Sequence, residues 1–244
     1  MKSLYKALDL LEYIILQDGR PVTPSELAEN CNVNITSCVR MVKTFTERGY
    51  LIQVSRRDGY IGGPALVTAS AYDSVYYRMR QAAPSPIGRL SRRLGCMVNL
   101  SIIHNDRRYL LYVCGQTQKY HVYPVFSKPW DYQNNATERL LLSACDAATR
   151  HRIIQKIGLP EGISSYDELI HQLDAYKKAQ SVAFFSETFK RWIIGGLMLT
   201  DGYPPAAIAF NVKSESEVPL AIEQALNCVK EIEAGLALNT GLIC

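Results

Sequence analysis

The sequence predicts an α+β protein that opens with a winged helix-turn-helix. Three observations carry this expectation. Two segments with helix-start chemistry, Thr23-Pro24-Ser25-Glu26 and Asn34, flank the turn Cys31-Asn32-Val33. The second helix is followed at once by a hairpin pattern, Leu51–Val54 and Gly59–Ile61. Beyond Gly95 the texture changes to strand pairs with helices at both ends, the pattern of a mostly antiparallel sheet.

Each element has a local reason. Leu4, Leu8, Leu11 and Ile15 recur at helical spacing and predict a first helix over 3–16, stopped by Asp18-Gly19-Arg20-Pro21. Thr23 and Glu26 have capping-box spacing, and Pro24 stands where its missing N–H is harmless. Asn34 is a good N-cap for the next helix, which ends at Gly49. In that helix Cys38, Met41, Val42 and Phe45 form an apolar stripe, while Thr36, Arg40, Lys43 and Glu47 share the opposite face. Asp58-Gly59 is a hairpin turn signal.

Gly62-Gly63-Pro64 marks a domain boundary, and 65–80 reads as a helix. Pro84 and Pro86 punctuate before Ile87, Leu90 and Leu94, a helix capped by Gly95. Met97–Ile103 and Arg107–Val113 read as a hairpin, with Tyr120–Phe126 a third strand. Helices over roughly 137–157 and 165–180 are followed by strands Val182–Phe185, Trp192–Leu199 and Ala206–Val212. Pro219–Leu236 closes the chain as a helix.

Composition sets bounds on function. A length of 244 residues allows one large or two small domains, and 48% hydrophobic with 20% charged residues is ordinary for a globular protein. The net charge of +4 is too mild to indicate nucleic acid by itself. Residues 1–62 hold eight Lys/Arg against seven Asp/Glu, 8 − 7 = +1, so DNA binding must rest on where charges sit. No apolar run reaches membrane-spanning length, and Tyr5, Lys6 and Asp9 interrupt any leader-like block. Seven scattered cysteines without a CxxC pair fit reduced thiols, and a cytoplasmic location is expected.

The whole chain resembles the IclR family of bacterial transcription regulators. The residues that carry the resemblance are Ser3-Leu4-Tyr5-Lys6-Ala7-Leu8-Asp9-Leu10-Leu11, Ser25-Glu26-Leu27-Ala28, Thr36-Ser37 with Arg40, and Glu47-Arg48-Gly49-Tyr50-Leu51. Gly59-Tyr60, Gly62-Gly63-Pro64 and Ala136-Thr137 extend it. The resemblance implies a winged helix-turn-helix over 1–63, a linker helix over 64–83, and a GAF-like effector-binding and oligomerisation domain over 84–244. It also implies a homodimer or tetramer that senses small organic acids or aromatic metabolites. Departures from the family pattern are Asn34-Ile35 in place of a Pro-Lys pair, Glu138-Arg139 in place of small residues, Trp192 in place of Cys or Gly, and Ala209 and Asn211 in place of two serines.

The candidate DNA-contacting residues are Thr23, Ser25, Asn34, Thr36, Ser37, Arg40, Lys43, Arg56 and Arg57. Short hydroxyls suit phosphates, Arg40 is long enough for a bidentate guanine contact, and Arg56-Arg57 stand at the wing tip. The candidate ligand-binding residues are Tyr123, Phe126, Asn135, Thr137, Arg139, Trp192, Ile194, Ala209 and Asn211. Aromatics supply walls, Thr137 and Asn135 start a helix whose N–H groups favour anions, and Arg139 offers a fork for a carboxylate. For each aromatic, core packing is the competing reading.

No catalytic signature stands out. His104, His121, His151 and His171 lack metal-ligand spacing, and no phosphate loop or dinucleotide fingerprint occurs. The expectation is a DNA-binding regulator, not an enzyme, with no cofactor or metal. Its partners are operator DNA, a small-molecule effector and further copies of itself, and it lacks a membrane partner. One alternative is a regulator whose second domain only oligomerises or binds a protein. The other is a Cys-dependent hydrolase using Cys114 or Cys96, joined to a DNA-binding module.

Overall fold

In the computed structural model, residues 2–70, 74–115 and 130–239 are described. They fall into two compact units, Met1–Asp73 and Ser74–Cys244.

The first unit begins with α1 (Lys2–Ile15), α2 (Pro24–Asn30) and α3 (Ile35–Glu47). It continues into the hairpin β1 (Leu51–Ser55) and β2 (Gly59–Gly62), then α4 (Pro64–Ser70). Its core joins Leu10, Ile14, Val22, Leu27, Cys38, Val42 and Leu51. The predicted first-helix stripe is therefore corrected. Leu10 and Ile14 are buried, whereas Leu4 and Leu8 are 64% and 45% exposed. Both faces of this helix are apolar, and packing against the rest of the unit selects the one with Leu10 and Ile14.

The capping box forms only in half. Thr23 Oγ1 accepts from the Glu26 backbone N–H at 3.2 Å. The Glu26 carboxylate turns instead to Arg20 Nη2 at 2.5 Å and Tyr13 Oη at 3.1 Å. The guanidinium, first among the causes, holds the Glu26 carboxyl below the ordinary carboxylate range. The wing turn also differs from a two-residue hairpin: Arg56-Arg57-Asp58 form it, with a bulge between Gln53 and Ser55. Ser55 Oγ accepts from the Arg57 and Asp58 backbone N–H groups. Gly59 is needed here, since φ is +98° and a Cβ would lie 2.1 Å from the Val22 carbonyl oxygen. That closeness comes from a bridge in which Val22 and Tyr60 exchange backbone hydrogen bonds.

The single linker helix expected over 64–83 is instead two helices. Helix α4 falls in the first unit, and α5 (Val75–Ala82) in the second.

The second unit continues with α6 (Pro84–Leu94), β3 (Val98–His104) and β4 (Arg107–Cys114). After the undescribed residues come α7 (Ala136–Ala144), α8 (Ala147–Ile157), α9 (Tyr166–Ala179) and β5 (Ser181–Ser186). Strands β6 (Arg191–Met198) and β7 (Ala206–Val212) precede α10 (Val218–Asn239). The helix expected over 137–157 is two helices, because Asp146 caps a new start through Thr149 N–H. The third strand expected over 120–126 lies outside the described residues.

Among the described residues five strands form one sheet in the order β4-β3-β7-β6-β5, with every pairing antiparallel. Alternation assigns each face. Val98, Leu100, Ile102, Ile194, Ile208 and Phe210 share a core with α5, α6 and α10. Ile193, Leu197, Ala207 and Ala209 face α7. Gly195 makes that second packing close, since a Cβ would stand 2.7 Å from Leu140 Cδ1 and 2.9 Å from Ala136 Cβ. A further core of Tyr132, Leu142, Ile153, Ile154, Leu169 and Leu173 ties α7 to α8 and α9.

Candidate functional site

In the first unit, α3 presents a long polar face. Thr36, Arg40 and Lys43, at i, i+4 and i+7, are all exposed, and Lys43 stands 3.7 Å from Glu47. Asn34 Oδ1 accepts from the Thr36 N–H at 2.9 Å, so Asn34 acts as a cap. Thr23 likewise spends its hydroxyl on a cap. Ser25, Arg56 and Arg57 are exposed, and Ser37 is half-buried. Ile35 and Val39, 47% and 48% exposed, were not among the sequence candidates. Their i, i+4 spacing and exposure fit apolar contact with thymine methyl groups. An exposed apolar pair on an otherwise polar helix face was the signal available in the sequence.

In the second unit a hollow of about 750 Å³ opens at the sheet end where β3 and β6 begin and β5 and β7 finish. Its apolar floor includes Ile193 and Ala209, and Ala136 at the start of α7 contributes to its wall. Asn99, Asn134, Asn135 and Asn211 supply amides. Most of these amides are already engaged. Asn99 Nδ2 donates to the Ala209 carbonyl, and its Oδ1 accepts from Ser101. Asn134 Oδ1 accepts from Ser186 Oγ at 2.6 Å, and Asn135 Oδ1 accepts from the Thr137 N–H and hydroxyl.

Of the expected ligand-binding residues, Asn135, Ala209 and Asn211 line this hollow. Tyr123 and Phe126 lie outside the described residues. The other four are placed elsewhere. Thr137 is buried, and its hydroxyl accepts from Arg108 Nη1 at 2.9 Å. Arg139 is spent on structure: Nε and Nη2 donate to the Tyr132 and Gln133 carbonyls, and its guanidinium lies 3.4 Å from the Phe184 ring centroid. Trp192 and Ile194 belong to the opposite face of the sheet, in the core with α10. Register explains the difference. Ile193 pairs with Asn211 and stands on the same sheet face as Asn211 and Ala209, whereas Trp192 and Ile194, one residue out of step, stand on the other and are not in the lining.

The sequence reading missed Arg93, Arg191 and Lys213, which line the same hollow. Burial pushes the neighbouring Cys96 thiol up, against the Asn211 backbone N–H and the Arg191 charge. A thiol raised by burial holds less thiolate at neutral pH, which argues against Cys96 as a nucleophile. Among the described residues no cluster of metal-ligating side chains occurs, and no helix is long and apolar enough to cross a membrane.

The IclR helix-turn-helix domain family matches residues 3–55. The amino-terminal unit is an IclR helix-turn-helix domain. Solved structures extend the likeness in fold to the rest of the chain. An IclR homolog from Microbacterium hydrocarbonoxydans, solved with 4-hydroxybenzoate, has a TM-score of 0.76 at 18% identity, over 97% of this chain and 99% of that one. The IclR transcriptional regulator of Alicyclobacillus acidocaldarius has a TM-score of 0.72 at 19% identity, over 98% of both chains. The Thermotoga maritima IclR has a TM-score of 0.65 at 18% identity, over 99% of both. No curated protein matches the chain in sequence. Over nearly its whole length the chain shares the fold of these IclR proteins, and its amino-terminal unit matches their helix-turn-helix domain.

Proposed function

We propose that this IclR-type chain binds an operator through α3 and the wing, and that its second unit senses a small acid held in the hollow at the sheet end. The observation that carries the DNA reading is the exposed row Thr36, Arg40 and Lys43 on a helix capped at Asn34. Arg40 is the base reader, Lys43 a phosphate contact, and Ile35 and Val39 meet thymine methyls. Ser25, Ser37, Arg56 and Arg57 hold the backbone, while Thr23 and Asn34 act by fixing the helix starts.

The ligand reading rests on a hollow whose volume of about 750 Å³ falls in the range of small-molecule sites. That a neighbour of the same fold was solved with 4-hydroxybenzoate supports an acid as ligand. A bound acid biases operator binding only by its differential affinity for the two arrangements of the protein. Two copies reading two half-sites supply the selectivity that one recognition helix lacks.

The test is binding-site selection followed by anisotropy titration. Arg40→Ala is expected to weaken operator binding by about 1–3 kcal/mol and to relax preference at one guanine. An unchanged base preference removes Arg40 as a reader. An acid panel added to the preformed complex tests sensing, with a change in operator affinity as the expected result.

A further inference from the structure

The charged lining of the hollow is one-sided. Arg93, Arg191 and Lys213 contribute three cations and Glu217 one carboxylate, 3 − 1 = +2. Trp192 pairs with Val212 at the end of the β6–β7 ladder, so Arg191 and Lys213 leave the two strands side by side. Like charges at neighbouring cross-strand positions are destabilising. No ion pair relieves them: among the described residues, none of the three cations has a carboxylate partner within salt-bridge distance. Glu217 is occupied, since its Oε2 accepts from the Lys213 and Ser214 backbone N–H groups at 3.1 and 2.7 Å. Its charge offsets one cation without holding a guanidinium or ammonium.

The other end of the hollow is ill suited to an anion. Asn135 caps the first turn of α7, and the Glu138 carboxyl lies 3.4 Å from Asn135 Nδ2. Arg139, the expected carboxylate fork, is bound to two backbone carbonyls. The anion anchor therefore belongs at the β6–β7 end. A half-enclosed cleft with one sign of charge concentrates ligands of the other sign.

We propose that the hollow takes a dianionic small acid, either a dicarboxylate or a phosphate monoester, anchored by Arg191 and Lys213 with Arg93 at the rim. The body of the ligand lies over Ile193 and Ala209 toward Asn211, whose side-chain amide makes no hydrogen bond to another described residue. This rests on the small-acid reading above and narrows it from any acid to one whose charge matches the +2 lining.

The experiment uses the full chain and ligands matched in body but not in charge: benzoate, phthalate and phenyl phosphate, with butyrate, succinate and glycerol phosphate as the aliphatic set. Melting temperature and calorimetric affinity are read near neutral pH. At least one dianion is expected to bind about tenfold or more tightly than its singly charged counterpart, the lower end for hydrogen bonds to charged groups. Arg191→Gln and Lys213→Gln should each remove most of that preference. Arg92→Gln, an exposed cation on α6 outside the lining, should leave it unchanged. Added salt should weaken the dianion more than the monoanion. Whether phthalate and succinate or the phosphate esters bind separates the two sources of charge. Monoanions that bind as tightly as dianions, with no loss in Arg191→Gln, overturn this proposal and leave the small-acid reading standing. Dianion binding that is equally weakened by Arg92→Gln places the preference in general surface charge and also overturns it. No response to any acid overturns both, whereas operator binding is judged separately by Arg40→Ala.

Discussion

Glu138 is held between two opposing demands. It is buried beside Arg108, whose Nε lies 3.4 Å from Glu138 Oε1, and its Oε2 accepts from the Asp131 N–H at 2.5 Å. Burial dominates and pushes the carboxyl from 4.5 to about 7, while the Arg108 charge pulls the other way. A carboxyl raised in the folded state adds stability below pH 4.5 and loses it as pH rises to about 7. Melting temperature is therefore expected to fall across that window. Glu138→Gln should flatten the slope, because no proton is left to release. In acid, where the wild-type carboxyl is itself protonated, the variant should nearly match the wild type; above about pH 7, where the wild type carries a buried carboxylate, the variant should be the more stable of the two. Melting curves from pH 4.5 to 8, about one pH unit apart, check both parts; an unchanged slope in the variant assigns the pH dependence elsewhere.

Elements are joined by similarly specific contacts. The β3–β4 turn is pinned to α8 through Asp106, which accepts from Lys156 Nζ at 2.7 Å and Arg152 Nη2 at 3.2 Å. The Lys156 bond, followed by Arg152, holds the Asp106 carboxyl below its ordinary value. Asp106 has φ +58°, a region that asparagine tolerates well, so Asp106→Asn tests charge without straining the turn. Both cations are more than half exposed, so the expected cost is about 0.5–1 kcal/mol at neutral pH. A depressed carboxyl contributes above its unfolded value and loses that contribution as pH falls. The difference between wild type and variant should therefore vanish in acid. Chemical denaturation at neutral and acid pH measures it; a cost that persists in acid points to packing instead.

At the scale of the whole molecule, the proposed pairing of two copies can be tested on α1. Leu4, Tyr5 and Leu8 are exposed at spacings that place them together on one side of the helix. If a second copy covers this face, removing its apolar residues separates the copies and their two recognition helices. Leu4→Glu with Leu8→Glu is expected to shift sedimentation toward monomer and to weaken binding to a paired site far more than to a single half-site. An unchanged sedimentation coefficient assigns assembly to the second unit.

Local chemistry made the DNA-binding unit legible in the sequence. Caps at Thr23 and Asn34, the stripe of α3 and the glycine at 59 act over a few residues and need no knowledge of the rest of the chain. The antiparallel sheet was readable for the same reason, through alternation and turn residues. Tertiary structure alone decided which apolar face of α1 is buried, because both faces qualify by periodicity. It also decided the lining of the hollow. One residue of register separates Ile193 from Trp192 and sends them to opposite faces of the sheet. Arg191 and Lys213 meet only because β6 and β7 pair there, and Arg93 joins them only because α6 ends beside β3. Charge density at a site is a sum over residues distant in sequence, and only the folded chain performs that sum.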